Sequence, residues 1–254
     1  MSNRWRVILP PLVPFVVVTV GVEVLVRSGV IPSYVLPAPS AVFESVFRDF
    51  RELASATWST TKASVAGFAA SGAVGVLIAV ALSSSRWVER AFYPYAVFFQ
   101  TVPIIAIAPL LVIWFGFDLR TVIASAFIVS VFPVIANTLT GLLSTDPALR
   151  DLFRLYGASP AATLWKLRLP SALPSILTGL RIAAGLAVIG AIVGEFISGS
   201  GIGGVIDVAR TQQRLDKVFA GLLLSSLLGL GLFALVNLAS RLALRHWHAS
   251  EQSR

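Results

Sequence analysis

Residues 155–174, LYGASPAATLWKLRLPSALP, separate two long apolar runs of the chain. The stretch holds one glycine and three prolines, and the cations Lys166 and Arg168 interrupt its apolar character. Because glycine favours helix ends and proline favours first turns, the pattern predicts two short helices joined by a tight turn at Gly157. A basic pair of short helices with defined starts and ends, placed between apolar runs, is typical of a segment that docks a partner.

The first of these short helices is predicted to begin at Thr145-Asp146-Pro147, a capping side chain followed by proline. Over 148–156 its two faces differ, since one collects Leu149, Leu152, Phe153 and Tyr156 and the other collects Arg150, Asp151 and Arg154. Ser159-Pro160 is expected to start the second helix. Leu169-Pro170 is expected to end it before Pro174 opens the next apolar run.

The composition places the chain in a membrane. Of its 254 residues, 56% are hydrophobic and only 13% are charged, with a mean hydropathy of +0.85. A soluble domain carries about 25% charged residues. The net charge of +8 is scattered between apolar runs, so we expect no nucleic-acid partner. There is no cysteine, which excludes disulfides and thiolate chemistry.

Six apolar runs have the length of about 20 residues that a bilayer-crossing helix needs. They are residues 7–26, 61–82, 91–115, 121–143, 174–197 and 218–242. The first is longer than the apolar region of a secretory signal, so we expect no cleavable signal peptide. The sequence therefore predicts an all-α polytopic membrane protein, a single domain over 1–254, with its third span interrupted by Pro103 and Pro109 and its fourth by Pro133 and Asn137.

The cations orient these spans. Eleven Lys and Arg residues flank the side that holds both termini, and eight flank the other side, which favours cytoplasmic termini. Two segments then face outward. Residues 37–50 predict an amphipathic helix capped by Ser40, which either lies on the membrane surface or packs against the bundle. Residues 198–217 join the last two spans.

Two short motifs are weak. Gly199, Gly201 and Gly204 match a dinucleotide-binding spacing, but they follow an apolar span and not a strand, so a sharp exit from the bilayer is the better interpretation. His246 and His248 lack a third nearby ligand, so we expect no metal site. No glycine-rich phosphate loop precedes any lysine, and we expect no bound cofactor and no catalytic residue.

Four polar residues within or beside the apolar spans are candidates for a pathway or gate: Gln100, Thr101, Asn137 and Glu195. Alternatives remain open. Thr101 can hydrogen-bond the backbone of its own helix, and Asn137 can bond a neighbouring helix. Glu195, near the outer end of the fifth span, can pair with Arg210 or another cation of the outer loop.

The opening stretch resembles the cytoplasmic signature loop of binding-protein-dependent ATP-binding-cassette importer permeases. The resemblance rests on Gly157, nine residues, Leu167, one residue, and Leu169-Pro170, with Asp151-Leu152-Phe153 at the place of the family's Glu-Ala-Ala. Four further stretches resemble the nitrate, sulfonate and taurine branch, over roughly residues 31–243. These are YVLPAPSAV (34–42), TVPIIAIAPLLVIWFG (101–116), LPSALPSILTGLRIAAGLAVIGAIVGEF (169–196) and SGIGGVI (200–206).

The resemblance implies a type I importer permease of the bacterial inner membrane that pairs with a second copy of itself. Separate ATPase subunits would dock on the loop 144–173 and would bind the ATP. An external binding protein would deliver a sulfonate, nitrate, taurine or thiamine-precursor pyrimidine. It further implies that Gly190 and Gly194 could approach the dimer axis. A secondary transporter and a small membrane enzyme are rival classes. The sequence shows no clear internal repeat for the first and no catalytic constellation for the second.

Overall fold

The computed structural model describes residues 4–244, and every regular element in that range is helical, as expected. The two tail histidines lie outside the described residues. Eleven α-helices follow one another, with a π-helical segment, Leu164–Arg168, between the eighth and the ninth. They are α1 (Arg4–Arg27), α2 (Pro39–Arg48), α3 (Phe50–Leu82), α4 (Arg86–Thr101), α5 (Ile104–Phe115), α6 (Leu119–Leu143), α7 (Pro147–Leu155), α8 (Pro160–Thr163), α9 (Leu169–Ser198), α10 (Gly201–Thr211) and α11 (Leu215–Leu244).

Four continuous helical stretches among the described residues are long and apolar enough to cross a membrane. They are α3, α6, α11 and the run Pro160–Ser198, and α4 with α5 supplies a fifth apolar stretch that is bent. These stretches cover the second to sixth predicted spans, so the chain is a multi-pass membrane protein. The helix α1 covers the first predicted span, whose crossing of the bilayer stays a prediction.

The third predicted span is not a straight helix. Its two halves, α4 and α5, meet at an angle of 96°. The cause is Pro103, which disfavours helical backbone in the residue before it, and Val102 is accordingly extended with ψ 122°. Pro109, also expected to interrupt this span, lies inside α5 without ending it. Pro133 likewise lies inside the continuous helix α6.

The predicted helix stop at Leu169-Pro170 is wrong. The chain stays helical from Pro160 to Ser198, and the π-helical segment lies directly before Leu169. The backbone N–H of Leu169 donates to the carbonyl of Leu164, five residues back. This wider turn shifts the hydrogen-bond register and accommodates the proline ring and its missing N–H, so the helix continues.

The core of the bundle is the contact of α3, α6 and α9, and small residues let these helices approach closely. A methyl group added at Gly190 would lie 2.7 Å from the carbonyl oxygen of Ser125 on α6. One added at Gly194 would lie 2.8 Å from the hydroxyl of the same serine. The expectation that these glycines face a dimer axis is therefore wrong, since both pack inside the chain against α6.

The amphipathic helix α2 begins one residue before Ser40, so the N-cap predicted there is wrong. Ser40 instead donates its hydroxyl to Glu23 at 2.7 Å and its N–H to the same carboxylate at 2.9 Å. One side of α2 packs on the bundle, where Val42 is buried against α3 and α11. The other side exposes Phe43 and Phe47, and its place on the membrane surface stays a prediction.

Candidate docking surface and pathway

The short helix α7 and its turn form as the sequence predicts. The carboxylate of Asp146 accepts a hydrogen bond from the N–H of Ala148 at 2.8 Å and so caps the helix. Gly157 follows α7 with φ of 67°, in the left-handed region that favours glycine. The hydroxyl of Ser159 then accepts from the N–H of Ala162 at 3.2 Å and caps the next helix. Local signals therefore fix the shape of this segment.

One face of α7 is apolar and open. Leu149 and Leu152 are each a little over 40% exposed, and Leu155 and Tyr156, at the end of the helix, are 85% and 84% exposed. This helix lies outside the spans, at the end of the bundle where α3 and α6 finish, which we call the α7 end. A cluster of exposed apolar side chains beyond the membrane spans marks an interaction surface.

The seven predicted docking residues fall into two groups. Asp151, Leu152 and Gly157 are exposed, and Phe153 is half-buried, so this group lies on the outside of α7 and its turn. Leu152 belongs to the apolar face of α7, whereas Asp151 lies on the polar face with Arg150 and Arg154. The second group lies in the continuous helix that follows, where Leu167 is buried and its neighbours Leu169 and Pro170 are half-buried. These three side chains therefore lie behind the candidate docking surface and do not form its outer face.

Two arginines join this segment to the ends of the spanning helices. The guanidinium of Arg168 donates to the carbonyls of Ser83, just past α3, and of Leu142, near the end of α6, all at 3.3 Å. Arg150 of α7 donates to the carbonyls of Leu142 at 3.3 Å and Leu143 at 2.8 Å. Terminal helix carbonyls lack partners within their own helix and carry partial negative charge, so cations stabilise them.

The structure does not bring the four pathway candidates into one cluster. Gln100 and Thr101 finish α4 at its bend, where Gln100 is exposed and the Thr101 hydroxyl donates to the carbonyl of Phe98 at 2.8 Å. Asn137 donates to the carbonyl of Pro133 at 2.8 Å, in its own helix, so the expected bond to a neighbouring helix is wrong. Asn137 lies towards the α7 end, whereas Glu195 lies at the opposite end of α9.

Glu195 joins three helices at this opposite end, which we call the α10 end. Its carboxylate is buried and accepts from the hydroxyl of Thr60 on α3 at 2.7 Å and from the N–H of Gly203 on α10 at 2.9 Å. The N–H of Ile202 donates to the same threonine hydroxyl at 3.0 Å. The carboxylate therefore satisfies one donor in the first turn of α10 directly and orients the threonine that satisfies another, at a helix start where a negative charge is favourable.

The alternative partner for this carboxylate is wrong, because Arg210 pairs with Asp207 at 2.9 Å. Two glycines make the predicted sharp turn between α9 and α10, with φ of 69° at Gly199 and 58° at Gly201, the first residue of α10. A methyl group added at Gly201 would overlap the carboxylate of Glu195. The turn and the buried acid therefore depend on one another.

A set of ion pairs fixes the surface of the α10 end. Arg214, before α11, bonds Asp49, between α2 and α3, at 2.5 Å, and the nearly buried Lys217 bonds Glu52 at 2.6 Å. The hydrogen bond from Arg214 lowers the pKa of Asp49. A lowered carboxyl pKa stabilises the folded state above the unfolded pKa, and this contribution is lost as the pH falls through the folded pKa.

Comparison with known proteins decides the family. Residues 71–244 match the model of the family described as binding-protein-dependent transport system inner membrane component. This chain belongs to that family.

Three relatives match the permease over most of its length. A probable ABC transporter permease protein of Haemophilus influenzae is 36% identical over 218 residues, which are 85% of this chain and 89% of the relative. The formylaminopyrimidine transport permease protein of Halalkalibacterium halodurans is 42% identical over 67% of this chain and 68% of the relative. A putative aliphatic sulfonates transport permease protein of Bacillus subtilis is 31% identical over 94% of this chain and 87% of the relative.

Three residues that join separate helices of the permease by hydrogen bonds were not predicted from the sequence as site residues. Arg150 and Arg168 were noted only as cations of the docking loop, although Arg168 stands inside the signature spacing, between Leu167 and Leu169. Thr60 gave no signal at all, because its partner Glu195 is 135 residues away along the chain. Only the packing of α3 on α9 and α10 brings that pair together.

Proposed function

We propose that this permease forms the translocation pathway of an ATP-binding-cassette importer for a small anionic or zwitterionic solute, such as a sulfonate, nitrate or taurine. An external binding protein delivers the solute, and separate subunits bind and hydrolyse the ATP, so the permease needs no cofactor of its own. Both termini lie in the cytoplasm. The observation that carries the proposal is the exposed leucine face of α7, formed by Leu149, Leu152 and Leu155, to which an ATPase subunit can bind.

Movement of the ATPase subunits reaches the pathway through packed helices. A displacement of α7 acts on the end of α6 through Arg150. Arg168, in the π-helical segment that follows, bonds the ends of both α3 and α6 and passes the displacement to them. The helix α6 moves with α9, since their glycine contacts leave no space between them. At the far end of α9, Glu195 holds the start of α10. We assign Asn137 of α6 and Glu195 of α9 to the pathway and its gate on this basis, and Gln100 and Thr101 as polar side chains at the bend between α4 and α5.

A small heterocycle such as a thiamine-precursor pyrimidine is the second candidate solute. It is favoured by the formylaminopyrimidine permease, whose identity of 42% exceeds that of the sulfonate permease. Mass spectrometry of the ligand bound to the cognate binding protein separates the two classes. ATP-driven uptake of that ligand into vesicles holding the permease and ATPase then tests the function, and uptake that needs no ATP would contradict it.

The assembled importer is expected to hold two copies of this chain and two ATPase subunits. Each chain offers one α7 surface, and α4 and α5 expose aromatic side chains such as Phe98 and Trp114, which suit a second copy. Native mass spectrometry of the purified complex measures the ratio directly. A complex with one permease chain, or with a single ATPase subunit per two chains, would contradict this assembly.

A further inference from the structure

A polar cavity of about 900 Å³ opens at the α7 end, between the first turn of α4, the helix α7 and the start of α8. Five arginines and two acids line it, which leaves a net charge of +3. They are Arg86, Arg90, Arg150, Arg154 and Arg168, with Glu89 and Asp151. A cavity of this size and sign suits an anion larger than a simple inorganic ion.

The cavity and the docking surface use opposite faces of α7. Arg150, Asp151 and Arg154 recur at spacings of three and four residues and line the cavity. Leu149 and Leu152 stand on the other side of the helix and form the exposed apolar face. Asp151 is the one predicted docking residue in the lining, so a partner that covers the leucines leaves the five arginines of the cavity in place for a different ligand.

Two of the five arginines have no partner among the described residues. Arg150 and Arg168 hold helix carbonyls, and Arg154 is 3.9 Å from Asp151. Within residues 4–244, neither Arg86 nor Arg90 forms an ion pair or a hydrogen bond through its side chain. Both are exposed on successive turns of α4. Because a guanidinium group binds phosphate through paired hydrogen bonds, these two side chains are free to hold one.

The cavity also lies at the ends of the membrane-spanning helices α3 and α6. Trp87, between the two unpaired arginines in sequence, is 74% exposed on the first turn of α4. Tryptophan at the end of a spanning helix is typical of the lipid–water interface, and basic pockets at that level on the cytoplasmic side bind lipid headgroups. We propose that this cavity binds the phosphate headgroup of an anionic phospholipid, with Arg86 and Arg90 as its main contacts. The site is additional to the proposed transport function.

The test is a titration of the purified full-length chain in detergent with dioleoyl phosphatidylglycerol and, separately, dioleoyl phosphatidylcholine, followed by native mass spectrometry. Phosphatidylglycerol is expected to bind more tightly. The double variant Arg86→Gln/Arg90→Gln is expected to weaken its binding about 30-fold, at roughly a fivefold loss for each charge. Arg120→Gln, at the start of α6 and the other end of the bundle, is the matched control and is expected to bind like the wild type.

Equal binding of the two lipids, or unchanged binding in the double variant, would overturn the proposal. Displacement of the lipid by millimolar inorganic phosphate would identify a free-phosphate site instead. Release of the lipid when the ATPase subunit is added would assign the cavity to that protein, whereas retention in the complex supports the lipid. ATP-driven uptake is measured separately, so a failure of the transport function would not be mistaken for a failure of this site.

Discussion

Gly157→Val is expected to uncouple ATP hydrolysis from solute uptake while all spans stay inserted. Gly157 has φ of 67°, and a β-branched residue is strained there by roughly 1–3 kcal/mol. A methyl group at this position would meet no atom within 4 Å, so the cost comes from the backbone alone. The turn can relieve it by opening, which moves the leucine face of α7 away from the ATPase. A loss of about tenfold or more in coupled uptake follows.

Two variants control this experiment in reconstituted vesicles, with co-purification of the ATPase and ATP-driven uptake as readouts. Ala148→Val lies on the first turn of α7, adds the same kind of side chain away from the turn, and is expected to behave like the wild type. Gly157→Asn is expected to recover most activity, because asparagine tolerates positive φ better than valine. Equal activity of Gly157→Val and Ala148→Val would contradict the role of the turn.

Glu195→Ala is expected to produce the largest loss of stability. It leaves the buried N–H of Gly203 without its acceptor and removes one acceptor of the Thr60 hydroxyl, which keeps the carbonyl of Ala56. An unpaired buried donor costs about 1–3 kcal/mol, and the cavity left by the side chain adds to that cost. We expect the melting temperature of the purified permease to fall by roughly 5–15 °C, measured by loss of the monodisperse peak after heating.

Glu195→Gln separates the structural role of this residue from a role in the gate. The amide keeps the shape, and its oxygen can still accept from Gly203 while its NH₂ group faces Thr60. Stability is therefore expected to stay near that of the wild type, while uptake falls at unchanged ATPase binding. Wild-type uptake by this variant at matched expression would leave Glu195 with the structural role alone.

The docking segment could be predicted from sequence because its signals are local. Asp146 and Ser159 cap helices through bonds to residues two and three positions away, and Gly157 supplies the one turn conformation that separates them. The continuation of the helix through Pro170 could not be predicted. A proline ordinarily indicates a helix end, and the π-helical segment that accommodates it has no sequence signal of its own.

Contacts between residues that are far apart in the sequence could not be predicted either. The glycines at 190 and 194 correctly indicated a close helix contact, but a small-residue spacing does not specify which helix approaches. Glu195 was correctly singled out as an acid in an apolar span, and its expected partner, Arg210, was the nearest cation beyond the turn. The carboxylate instead bonds Thr60 and the start of α10, a pairing that depends on how α3 crosses α9.

The most direct test of the docking role of α7 uses the absence of cysteine in this chain. A single Leu152→Cys, on the exposed leucine face, can be labelled with a photoreactive maleimide in the permease–ATPase complex. Val208→Cys, half-exposed on α10 at the opposite end, is the matched control. We predict a cross-linked product containing the ATPase from Leu152→Cys and none from Val208→Cys. Cross-linking from Val208→Cys alone, or from both positions equally, would contradict an ATPase docked on α7.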